Sequence, residues 1–139
     1  MSLSERMETI ARTVVKREAS HQEELDRARE KARTLHATVE EALGRFNAIV
    51  AEDLPDLRVE LTPPRIDDKH LRSIEFDLER GRHRAIVLVK SKGEVTLVGP
   101  FRTGKNEGPC RTFPFEADDE LDDALGDFLE RFLEEAAAP

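Results

Sequence analysis

The chain has 139 residues, 38% hydrophobic and 37% charged, with a formal net charge of -8 and an isoelectric point near 5.1. That length permits one domain with a modest core, the acidic balance argues against a nucleic-acid partner, and the lone cysteine, Cys110, excludes an intrachain disulfide. One free thiol and the absence of a leader-like or membrane-spanning apolar run predict a cytoplasmic protein with no membrane contact.

The first glycine is Gly44 and the first proline is Pro55, so nothing before them breaks a helix. Apolar residues recur there at spacings of three and four: Leu3, Met7, Ile10, Val14, then Leu25, Ala28, Ala32, Leu35, Val39, Ala42, Phe46 and Ile49. A helix over residues 3–50 would run roughly 70 Å, against a radius of gyration near 14 Å for a compact chain of this length. It must therefore bend back or pair with another chain. Val14 and Glu18 are four apart where the flanking heptads require three, a stutter. Ser20 and Glu23 also spell a capping box, which offers a break, but the uninterrupted charged pattern favours one continuous helix. The helix should end near Glu52, ahead of Pro55. The stripe Leu25, Leu35, Val39, Phe46 and Ile49 is longer than a small sheet can cover and marks the expected homodimer interface. Leu35→Asp should then weaken the dimer.

After Pro55 the apolar period becomes two. Leu57, Val59 and Leu61 form a first run, stopped by Pro63-Pro64. Ile74, Phe76 and Leu78 form the second, and Ala85 to Val89, apolar on both faces, the third, which should be central. Val95, Leu97, Val98 and Phe101 form the fourth; a loop at 102–110 leads to a last strand at 111–115, confined to an edge by Pro114. Gly81 and Gly93 mark tight turns, so the strands read as an antiparallel meander. Ile74, Phe76 and Leu78 should share a core with the last helix, and Val87, Val89 and Val98 should form an opposite face that needs separate cover. The last helix, 118–136, carries the stripe Leu121, Leu125, Phe128 and Phe132, with Asp118, Asp119 and Glu120 where the helix dipole favours anions. The fold class is α+β: a long N-terminal helix with coiled-coil seam spacing, a four- to five-stranded antiparallel meander, and a C-terminal amphipathic helix packed on the sheet. Residues 1–53 form the helical, oligomerising segment, and residues 54–139 a small globular unit continuous with it.

Charge is unevenly spread: 1–53 carries 11 acids and 9 bases, 54–115 carries 9 and 12, and 116–139 carries 10 and one. In a meander alternate turns lie at one end, so Arg80, Arg82, His83 and Arg84 should converge with Arg102, Lys105 and Arg111 as a possible anion site. Charged hairpin tips also serve solubility alone. Gly99 to Lys105 spells G-x-x-x-x-G-K but lacks the following Ser or Thr and the helix that a phosphate loop needs. Glu18-x-x-His21 and the pair His36/Glu40 have metal-ligand spacing, but one such pair is not a site. Cys110 has basic neighbours but no histidine near it in sequence. No catalytic residue, cofactor or metal site is therefore assigned. The leading expectation is a non-enzymatic protein–protein interaction or scaffold module, homodimeric through its N-terminal helix, with an unidentified protein partner. The alternative is a phosphate- or nucleic-acid-binding protein using loops 80–84 and 102–111. A third reading is an acidic dimeric chaperone of the secretion type.

Overall fold

The computed structural model describes residues 1–66, 72–104 and 108–137. Helix α1 is a single unbroken element, Leu3–Asp53, of 51 residues and so about 77 Å long. Ser2 caps it, its hydroxyl accepting the Glu5 N–H at 3.2 Å. Ser20 lies inside the helix, so the second capping box goes unused. A 3-10 turn, Pro55–Leu57, follows.

Six strands form one antiparallel sheet: β1 (Glu60–Leu61), β2 (Arg65–Ile66), β3 (Ser73–Arg80), β4 (His83–Lys90), β5 (Glu94–Arg102) and β6 (Cys110–Pro114). Its order is β1-β3-β4-β5-β6, and β2 pairs with another stretch of β3. Strand β4 is central and β6 lies at the edge, as the doubly apolar run and Pro114 require. The expected first strand is shortened. The side-chain amide of Asn47 donates to the Val59 carbonyl at 3.0 Å and accepts the Val59 N–H at 2.9 Å. Val59 is thus tied to α1 rather than to a neighbouring strand, and pairing starts only at Glu60. The chain closes with α2, Asp118–Ala137.

Both helices pack on the same side of the sheet, α1 over β3 and β4, α2 over β5 and β4. Register shows how that side is built. Phe76 is opposite Val87, Ile74 opposite Val89, and Val87 opposite Leu97. Directly opposed residues of an antiparallel pair share a face. Val87 and Val89 therefore join the core of Ile74, Phe76 and Leu78, and do not form the second face expected from the sequence. The opposite face instead carries Ile86, Leu88 and Val98 with Glu75, Asp77 and Thr96. Neither helix covers it. Val98 lies there as the direct partner of Ile86, and just beyond this pair the register shifts, between Arg84 and Ile86. At this shift Gly99 has φ +103°, and a Cβ there would meet Phe101 Cδ1 at 3.0 Å and the Arg84 carbonyl at 3.1 Å, so the close approach of β4 and β5 requires glycine.

The middle of α1 supplies one wall of the core. Leu25, Ala28, Ala32, Leu35, Val39 and Leu43 are buried, with Ala28 and Ala32 small enough to bring the helix close to the sheet. This corrects the expected oligomer interface. Leu25, Leu35 and Val39 lie against the chain's own sheet and leave no surface for a partner; Phe46 is half-buried, and Ile49 is 71% exposed. Leu43 takes the buried position expected of Ala42, which is exposed. Leu35→Asp is therefore a folding mutation in this structure. Lys31 joins the two helices: its ammonium is 2.8 Å from Asp118 Oδ1 and 5.9 Å from the Phe115 ring centroid.

Candidate functional site

The two basic loops do converge. The Thr103 N–H and hydroxyl both donate to the Arg82 carbonyl, at 2.7 and 3.2 Å, and His83 is opposite Arg102. Their side chains nevertheless have different employments. Arg80 turns to the helical side, where Nε donates to the Asp56 carbonyl at 3.1 Å and Nη1 donates to the Ala136 carbonyl. The last turn of α2 has no basic residue of its own, so Arg80 provides the cation that the negative end of the helix dipole favours. Arg84 lies on the other side of the sheet, with Nε donating to Asp77 Oδ2 at 2.9 Å and Nη2 donating to the same oxygen. The Arg111 guanidinium sits 5.0 Å from the Phe113 ring centroid. Arg82 and Arg102 are exposed and His83 is half-buried. Lys105 lies outside the described residues.

The partner of Arg84 was not legible as a site in the sequence. Asp77 is 1% exposed in the middle of β3, and its Oδ2 also accepts from Arg65 Nη2 at 3.0 Å. Arg65 Nη2 lies 2.8 Å from Glu75 Oε1, and Arg65 Nη1 donates to Thr62 Oγ1 at 3.0 Å. The Thr62 hydroxyl in turn accepts the Asp77 N–H at 2.8 Å. Burial by itself would lower the Arg65 pKa. The hydrogen bond and charge of Asp77, then the charge and hydrogen bond of Glu75, outweigh it and hold the guanidinium above its usual value. Two arginines from different strands thus close on one buried carboxylate and hold the Thr62–Ile66 segment against β3. The available signal was weak: an aspartate in the middle of an alternating strand, where that residue type is uncommon.

Of the candidate metal pairs, Glu18 accepts from Gln22 Nε2 at 3.2 Å and His36 also has other partners. His36 Nε2 donates to the Thr62 carbonyl at 3.0 Å, and its ring packs edge-on against Phe76 at 5.1 Å. Among the described residues no group of three or more His, Cys, Asp or Glu could hold a metal ion. Cys110 is exposed on β6. Gly99 and Arg102 are part of β5, so the G-x-x-x-x-G-K segment begins inside a strand.

Among the described residues, the start of α1 stands unpartnered. Residues 1–20 are all exposed, so about five helical turns project beyond the sheet. Along them Leu3, Met7, Ile10 and Val14, spaced by four, three and four, are 72%, 54%, 53% and 50% exposed, and Val15 lies beside them. Their spacing is that of an a/d stripe. Among the described residues no helix is long and apolar enough to cross a membrane. No protein-family model, curated protein or solved structure matches the chain.

Proposed function

We propose that the protein is a non-enzymatic interaction module of the cytoplasm that self-associates through the projecting start of α1. The observation that carries this reading is the uncovered stripe Leu3, Met7, Ile10 and Val14. A helix without tertiary contacts is marginal in water at this length, so pairing is what stabilises it. Charge favours a second copy laid antiparallel. Residues 1–9 hold Glu5, Arg6 and Glu8, whereas residues 10–18 hold Arg12, Lys16, Arg17 and Glu18. Antiparallel pairing sets the acidic stretch of one copy beside the basic stretch of the other; parallel pairing sets like against like. The reducing compartment is supported by the single, exposed thiol. The non-enzymatic part rests on the sequence, which carries no catalytic or cofactor spacing.

Light scattering tests the reading. The expected mass is twice the 15.8 kDa of one chain. Met7→Asp/Ile10→Asp should return it to one chain with the circular dichroism of the sheet unchanged, because a charge in the seam has no partner there. A single-chain mass for the parent protein at concentrations of tens of micromolar would remove the proposal.

A further inference from the structure

A cleft of about 440 Å3 lies between α1 and the β2 edge of the sheet. Its polar lining is Arg29, Arg33 and His36 from α1 and Arg65 from β2; Pro64, Ile66 and Ile74 give it an apolar side. The volume falls within the roughly 300–1,000 Å3 of pockets that hold small ligands. Its charge is unusual for this chain. Four other clefts each include a carboxylate among their lining: Asp127 in one, Glu24 in another, Asp118 and Asp122 in a third, Asp56 and Glu79 in a fourth. This one has none among its described lining residues, in a protein of net charge -8.

The arginines differ in how they are held. Arg65 forms part of the wall, with its guanidinium fixed by Thr62, Glu75 and Asp77. Arg29 and Arg33 are four apart on α1 and therefore on one face. Their partners are surface residues three positions earlier, Asp26 at 3.6 Å and Glu30 at 2.7 Å. Exposed pairs of this kind are weak, and a ligand anion can replace them. Guanidinium groups match the two-oxygen geometry shared by carboxylates and phosphates.

We infer that this cleft binds a small organic anion, its carboxylate or phosphate held by Arg29 and Arg33 beside the fixed Arg65, and its apolar body laid against Pro64, Ile66 and Ile74. The ligand is small because the cleft holds only about 440 Å3 and the net negative charge repels polyanions at long range. This site is separate from the basic hairpin loops and does not depend on self-association through residues 3–15.

The test is an amide NMR titration of the full chain with phenyl phosphate, benzoate and phenol in parallel. One or both anions should shift the His36 and Ile74 amides saturably, and which of them does so identifies the acid group read. Phenol should have little effect. Arg29→Ala/Arg33→Ala should weaken anion binding at least about tenfold, the loss expected for charge-assisted hydrogen bonds. Both side chains are largely exposed, so circular dichroism should confirm an unchanged fold. The inference is overturned by the absence of binding of either anion, by equal shifts with phenol, or by unchanged affinity in the double variant.

Discussion

Asp77 shows how much one residue decides here. Its side chain is buried on the sheet face that no helix covers, and two arginines meet on one of its oxygens. Asp77→Ala would leave Arg65 and Arg84 facing Glu75 and Glu79 without the central carboxylate. Breaking a fully buried pair costs roughly 3–5 kcal/mol. Both arginines are about a third exposed, at 39% and 33% of their side-chain surface, so solvent screens part of that loss. The expected destabilisation is about 1–3 kcal/mol, measured by urea unfolding, with the Thr62–Ile66 segment losing hydrogen-exchange protection first. Arg65 adds no pH dependence in the ordinary range. Its raised pKa gives stability that is fully present below the unfolded arginine value and lost only as pH climbs through the higher folded value. The sequence displayed Arg84 as a free cation at a hairpin base. Only the register of β3 against β4 shows that its charge is answered within the sheet.

At the scale of elements, the two helices were legible and the short strands were not. The apolar stripe of α2 is long enough to identify its buried face unaided, and Phe132, in its second half, is fully buried. Phe132→Ala should cost about 3–5 kcal/mol in chemical denaturation. A loss below about 1 kcal/mol would mean that α2 is peripheral to the core. Residues 57–61 alternate as a strand does, yet Asn47 claims Val59 for α1 and leaves two residues to pair. Asn47→Ala removes two hydrogen bonds at once and should cost about 1–3 kcal/mol, read as a lower thermal midpoint. Nothing in the pattern of 57–61 announces that competition, because the competing group stands ten or more residues away in another element.

For the whole molecule, α1 has two unlike parts. Residues 25–43 form one wall of the core, and residues 1–20 are all exposed. A chain beginning at residue 20 should therefore keep its unfolding free energy to within about 0.5 kcal/mol when both are compared as monomers. It should also lose the concentration dependence of its thermal midpoint, because that dependence comes from association. A large loss of monomer stability on truncation would show that the projecting turns contribute to the fold.

The sequence by itself determined the element types, the antiparallel meander, the continuity of α1 and the apolar face of α2. These depend on periodicity, on the first glycine and proline, and on turn residues, all local in the chain. Tertiary structure alone decided which stretch of α1 is buried. Both halves carry apolar seams, and one small sheet can cover only the part from Leu25 to Leu43. It also decided that Val87 and Val89 join Phe76 rather than oppose it, since a strand's two faces are exchanged by a one-residue change of register and no single strand records its partner's register. The same holds for the basic residues: topology brought the loops together, but side-chain direction sent Arg80 and Arg84 to opposite sides of the sheet. Facing direction depends on pairing across the whole sheet, which the order of residues does not state.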